Sequence, residues 1–171
     1  MSITELAPAK LNLTLDVGAR RPDGYHEITS VMQSAALYDV VTLKAVETDD
    51  IVVECPGTDL PTGPDNLAWK AADVFFQETN IPRTGIFIRL EKKIPSQAGL
   101  GGGSSDAAAV LRGMRRLFRA NVSDEALETV AARVGSDVPY CVRGGTALAQ
   151  GRGERLTALS PLPMCWFCLL Y

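Results

Sequence analysis

From Lys10 to Val17 the chain alternates strictly: Leu11, Leu13, Leu15 and Val17 fall on one face, and Lys10, Asn12, Thr14 and Asp16 on the other. A period of two predicts a β-strand. The polar, glycine-bearing segment 18–24 predicts a loop. β-Branched residues at Glu27–Met32, Val40–Val46 and Ile51–Glu54 predict three further strands. A proline- and glycine-rich stretch, Pro56 to Pro64, predicts a second loop.

The period then becomes helical. Asp65 or Asn66 can cap a helix through about Thr79, with Leu67, Ala71, Val74 and Phe75 on one side. Asn80 and Pro82 stop it. Gly85–Glu91 reads as a strand. A helix is expected from Ser104 or Ser105 to Arg119, with Ala107, Val110, Leu111, Met114, Leu117 and Phe118 inward. Ser123 caps another, striped by Leu127, Val130 and Val134 and stopped by Gly135. Short strands are expected at Thr146–Ala149 and from Met164. Strands and helices are grouped rather than alternating, which predicts an α+β fold.

The 171 residues suffice for one domain with a real core. A net charge of −3 argues against a dedicated nucleic-acid surface. Arg112, Arg115, Arg116 and Arg119 read as a solvated helix face that complements the C-terminal dipole. The N-terminus lacks a signal-peptide pattern, and the longest apolar run, residues 164–171, is too short to span a bilayer. A soluble, cytoplasmic protein without a membrane partner is expected. The four cysteines, Cys55, Cys141, Cys165 and Cys168, read as reduced thiols. Cys165-x-x-Cys168 has the spacing of a redox or zinc half-site. It lacks a second ligand pair, since the one histidine is His26, so an apolar strand is the better reading.

The strongest chemical signal is Pro95-Ser96-Gln97-Ala98-Gly99-Leu100-Gly101-Gly102-Gly103-Ser104-Ser105, between a strand and a helix. Its glycines permit positive φ and a close approach of backbone N–H groups to a ligand. The following helix turns its free N–H groups and positive dipole end toward the loop, an arrangement suited to a polyphosphate. Ser104 and Ser105 add hydroxyls for phosphate or Mg²⁺. The segment is not a Walker A loop, because no lysine follows Gly103. It is not a dinucleotide fingerprint either, because the third glycine position counted from Gly99 is Ser104.

Four stretches in order resemble the galactokinase–homoserine kinase–mevalonate kinase–phosphomevalonate kinase (GHMP) superfamily: the glycine loop, Pro8-Ala-Lys-Leu-Asn-Leu13, Arg20-Arg-Pro-Asp-Gly-Tyr-His26, and Gly135-Ser-Asp-Val-Pro-Tyr140 with Arg143-Gly-Gly145. The resemblance covers essentially the whole chain. It implies a ribosomal-protein-S5-like N-terminal domain with ATP and Mg²⁺ as cofactors. Within the superfamily it points to the members that transfer the ATP γ-phosphate to the 2-hydroxyl of a cytidyl diphosphate sugar alcohol on the non-mevalonate isoprenoid route. By motif, Lys10 and Asp137 are then the catalytic pair, and residues 95–105 bind ATP. Asn12 reaches the substrate from the strand face of Lys10, and Tyr25 and His26 contact the cytosine. Each residue also has a plainer reading: Lys10 as a solvated strand charge, Asp137 as a helix cap, Tyr25 as a rim aromatic and His26 as a turn residue.

Superfamily members are longer and carry a C-terminal domain. Residues 1–160 are therefore expected to form the N-terminal, ATP-binding domain, and 161–171 the start of a second one. Two other readings stay open: a superfamily kinase acting on homoserine, mevalonate or a sugar, and a non-catalytic nucleotide-binding module.

Overall fold

Two long antiparallel strands, β1 (Ser2–Arg20) and β2 (His26–Val46), form the spine of the sheet. In the computed structural model, which describes residues 1–169, the other edge of β2 is shared. Val40–Val46 pairs with β4 (Gly85–Glu91), and Ile28–Gln33 pairs with β5 (Thr146–Gly151). β3 (Ile51–Glu54) joins β4 in parallel, and β6 (Arg155–Ala158) joins β5 antiparallel. The order β3-β4-β2-β5-β6, with β1 on β2, makes one six-stranded mixed sheet.

Four helices cover one face: α1 (Leu67–Glu78), α2 (Gly102–Leu117), α3 (Asp124–Val134) and α4 (Val138–Arg143). Ala107, Val110, Leu111 and Met114 of α2 pack with Val41, Leu43, Ile86 and Ile88 of the sheet, all fully buried. Asn66 caps α1 by accepting from the Ala68 N–H at 2.8 Å, and Ser123 caps α3 from Ala126 at 3.2 Å. The expected α+β architecture is present, with helix layered on sheet.

Several sequence expectations need correction. The two runs Glu27–Met32 and Val40–Val46 are one strand, because β1 continues to pair across the residues between them. The loop expected at 18–24 is shorter, with β1 continuing to Arg20. The alternation at Lys10–Val17 is broken at Leu13, where pairing passes from Asn12↔Met32 to Thr14↔Val31. This β-bulge moves Leu15 and Val17, opposite Ser30 and Ile28, onto the face that carries Lys10 and Asn12. Leu15 is 53% and Val17 60% exposed, whereas Lys10 is only 7% exposed. α2 starts three residues earlier than a Ser104 cap would allow, with Gly101 in the capping position. The short strand β6 carries no clear periodicity and was not expected. Residues 164–169 form no strand, and Met164 and Trp166 stand almost wholly exposed; the rest of that expected element lies outside the described residues.

Of the four arginines expected on a solvated face, Arg116 and Arg119 are exposed, whereas Arg112 and Arg115 are half-buried and tie the fold together. Arg112 donates to the carbonyls of Cys141 and Leu6, each at 2.8 Å. Arg116 pairs with Glu5, and Arg115 with Asp124 at 2.6 Å. No helix among the described residues is long and apolar enough to cross a membrane.

Candidate active site

The glycine loop leaves β4 through Lys92–Ile94 and enters α2. Gly99 and Gly101 adopt φ of +73° and +66°, and Gln97 joins them at +57°. Gly101 begins the helix in the left-handed region, so the N–H groups of the first turn face the loop instead of a capping side chain. Gly102 and Gly103 are already helical. A cavity of about 370 Å³ lies between this loop and the N-terminal end of α1, with Asn66 and Leu67 on its far wall. A larger cleft of about 880 Å³, between the C-terminal end of α1 and the start of α3, is lined by no basic side chain and lies away from these motifs. Ser104 is partly exposed in the first turn of α2. The Ser105 hydroxyl is buried and donates to the Pro8 carbonyl at 2.7 Å, so it serves the fold.

That bond is one of several joining the loop to β1. The Lys10 N–H donates to the Leu100 carbonyl at 2.9 Å. The Lys10 Nζ then reaches the Asn12 Oδ1 at 2.5 Å and the Asp137 Oδ2 at 3.2 Å. Asn12 in turn donates to Ser30 at 2.7 Å, which fixes its amide and aims its oxygen at the ammonium. Lys10 is therefore no solvated strand charge. Asp137 occupies the capping position of α4, with Pro139 just inside the helix, yet its carboxylate makes no capping hydrogen bond. It faces Lys10 instead, with its side chain about a third exposed. Three residues distant in sequence from the loop thus converge beside the N-terminus of α2.

Tyr25 and His26 lie at the tip of the β1–β2 hairpin. The Tyr25 ring is 47% exposed, and its N–H donates to Asp23 at 3.2 Å. The His26 Nδ1 lies 3.1 Å from the Gly18 carbonyl and donates to it, which directs Nε2 away from that bond.

A buried charge cluster under the loop was missed in the sequence. Lys92 bridges Asp39 and Asp106, the latter at 2.5 Å. The other Asp39 oxygen accepts the N–H groups of Lys93 (2.5 Å) and Ile94 (2.8 Å). Both stems of the loop are thereby held to one ammonium. Burial outweighs the Lys92 charge at Asp106 and pushes its carboxyl up to about 7. No local pattern flags Asp39, which lies on β2, 53 residues before Lys92.

The glycine loop and the start of α2 thus lie beside a buried lysine–aspartate pair, and residues 66–145 match the GHMP kinases N terminal domain. Over nearly its whole length it is similar to proteins named 4-diphosphocytidyl-2-C-methyl-D-erythritol kinase. The one from Enterococcus faecalis is 46% identical over 99% of this chain and 60% of its own length. The one from Bacillus subtilis is 47% identical over 99% and 58%. A crystal structure of 4-(cytidine 5'-diphospho)-2C-methyl-D-erythritol kinase superposes with a TM-score of 0.77 at 42% identity, covering 94% of this chain and 56% of that one. Methanococcus jannaschii mevalonate kinase, at 15% identity and a TM-score of 0.70, shares the fold. The chain spans about 60% of the length of the curated relatives it matches.

Proposed function

We propose that this chain carries the nucleotide-binding and phosphoryl-transfer half of a kinase that phosphorylates the 2-hydroxyl of 4-diphosphocytidyl-2-C-methyl-D-erythritol with ATP. The observation that carries the reading is the 3.2 Å contact of the Lys10 Nζ with Asp137 Oδ2, on a lysine whose backbone is bonded to the glycine loop. Residues 95–104 and the N-terminus of α2 cradle the triphosphate, while Ser105 ties α2 to β1. Asp137 accepts the proton of the attacking hydroxyl or holds that hydroxyl in line. Lys10 keeps the carboxylate ionised and offsets charge on the transferring phosphoryl group. Asn12 orients Lys10, and Tyr25 and His26 receive the cytosine, by stacking and by hydrogen bonding. Residues 1–160 act as the ATP-binding unit, and 161–171 as the start of a second domain.

Mg²⁺ belongs to this reading as the partner of ATP. Among the described residues no group of three or more His, Cys, Asp or Glu side chains gathers as a metal cage. Mg²⁺ keeps most of its water and binds mainly phosphate oxygens, so it asks for few protein donors. Ser104, at the first turn of α2, would supply the protein hydroxyl. The ion, when bound, neutralises charge on the phosphates.

The test is a substrate panel with ATP: the cytidyl compound, mevalonate, homoserine and a hexose. Phosphorylation of the cytidyl compound alone is expected. Turnover of mevalonate, homoserine or the hexose in its place would overturn the reading, as would ATP binding with no acceptor phosphorylated.

A further inference from the structure

Lys10 and Asp137 sit on elements that do not fix them by local structure alone. α4, which begins beside Asp137, has only six residues. A helix so short takes its position from tertiary contacts. The Asp137 carboxylate makes no capping bond there. β1 has β2 as its one strand neighbour among the described residues. Three of its backbone groups are bonded to α2 and the loop before it. The Leu6 carbonyl accepts from Arg112 at 2.8 Å and the Pro8 carbonyl from the Ser105 hydroxyl at 2.7 Å, while the Lys10 N–H donates to the Leu100 carbonyl at 2.9 Å.

Arg112 joins both elements. Its Nη2 donates to the Leu6 carbonyl, on β1 just before Lys10, and its Nη1 to the Cys141 carbonyl, on α4 just after Asp137, each at 2.8 Å. The Cys141 N–H donates to the Asp137 carbonyl at 3.1 Å, so these two residues lie one helical turn apart. The Cys141 carbonyl is among the last of α4, which find no partner within the helix. The Glu5 carboxylate faces the Arg112 Nε at 3.5 Å and also pairs with Arg116, which fixes the plane of the guanidinium. Two carbonyls from different elements thus share one rigid, planar fork of donors.

We propose that Arg112 is a positioning residue for phosphoryl transfer: by holding β1 and α4 at one spacing, it sets how closely the Lys10 ammonium approaches the Asp137 carboxylate. Its action runs through backbone carbonyls. Its effect on turnover rests on the reading above, in which the pair serves phosphoryl transfer; the geometric link does not. Arg115, on the same helix, provides the comparison. It bonds Asp124 at 2.6 Å and the Val122 carbonyl at 3.4 Å, and neither lies on β1 or α4.

The test compares the unaltered chain with Arg112→Ala, Arg112→Lys and Arg115→Ala. Heteronuclear NMR follows the lysine ammonium groups, with Lys10→Met assigning the Lys10 signal, and steady-state kinetics use ATP and the cytidyl acceptor. In Arg112→Ala the Lys10 ammonium is expected to exchange with water about tenfold faster or more. The kcat should fall about tenfold or more, while KM for ATP stays within about threefold. The Lys92 ammonium, buried between Asp39 and Asp106, keeps its signal and reports an intact fold. Arg112→Lys offers no fork for two carbonyls and shows smaller losses of the same kind. Arg115→Ala changes neither readout. A lowered melting temperature in both Arg112 variants, with Lys10 exchange and kcat unchanged, would assign Arg112 to the fold alone and overturn the proposal. Equal loss of the Lys92 signal would overturn it as well. Faster exchange at Lys10 in Arg112→Ala, beside no turnover by the unaltered chain, would support the geometric link and overturn the kinase reading with the catalytic use of that link.

Discussion

Gly101 rests on the aliphatic stem of Lys10: a Cβ built on this glycine would lie 2.6 Å from the lysine Cγ. The glycine loop and the lysine–aspartate pair are therefore one packed unit. A methyl group at Gly101 must strain the left-handed backbone and also displace Lys10. Gly99 has a similar φ, but nothing lies within 4 Å of its Cβ position. Gly101→Ala is expected to lower affinity for an ATP analogue by about tenfold or more and to reduce turnover. Gly99→Ala should cost only the backbone strain, roughly 1–2 kcal/mol. Titration calorimetry and thermal melts on both variants check this, and identical losses would separate the loop from Lys10.

Replacing either member of the pair should affect chemistry more than binding. Asp137→Asn keeps the shape but loses the charge that faces Lys10; Lys10→Met keeps the stem under Gly101 and loses the ammonium. Both are expected to lower kcat by about 10²-fold or more. ATP-analogue affinity should stay within about threefold for Asp137→Asn, because in the proposed reading the loop and helix N-terminus hold the phosphates. Steady-state rates beside equilibrium binding measure the split. A tenfold loss of nucleotide affinity in Asp137→Asn with kcat preserved would assign the aspartate to binding.

Local patterns made α1 and α3 legible, since each has an apolar stripe, a cap and a stop in contiguous sequence, and β4 legible by its short apolar run. The glycine loop was legible for the same reason: its chemistry is contiguous. The bulge at Leu13 was not, because it is set by how β1 registers on β2, and a one-residue shift reverses every side chain beyond it. Lys10 could be matched to a motif, but its burial depends on Leu100, Gly101 and Asp137, which local periodicity cannot place. The Asp39–Lys92–Asp106 cluster was invisible for the opposite reason to the loop: three ordinary charged residues, on β2, just after β4 and on α2, gain meaning only once the sheet and α2 are assembled.

The cysteines divide into two pairs. Cys55 and Cys141 are buried, and Cys165 and Cys168 exposed. Burial pushes the Cys141 thiol up to about 12, so it remains protonated and unreactive well above neutral pH. A maleimide reagent should label two thiols per folded chain within minutes and four after denaturation. Raising the pH to about 10 should leave Cys141 unlabelled. Mass spectrometry of labelled peptides checks the assignment. Early labelling of Cys141 would show that α4 opens readily.

The cluster beneath the loop gives the most demanding stability test. Lys92→Met would leave Asp39 and Asp106 facing each other in the interior without their shared cation. Breaking a buried pair in this way costs about 3–5 kcal/mol. Asp106→Ala removes one of two acceptors from a buried ammonium and should cost less, about 1–3 kcal/mol. Asp106→Asn retains an oxygen for Lys92 and should cost the least. Lys44→Met, at an exposed position of β2, should change stability by about 0.5 kcal/mol or less. Urea unfolding monitored by circular dichroism ranks the four variants. Asp39 also accepts the Lys93 and Ile94 N–H groups, so loss of Lys92 should raise hydrogen exchange at these two amides more than at the β4 amides before them. A uniform rise along β4 would show that the cluster stabilises the sheet as a whole and does not position the loop.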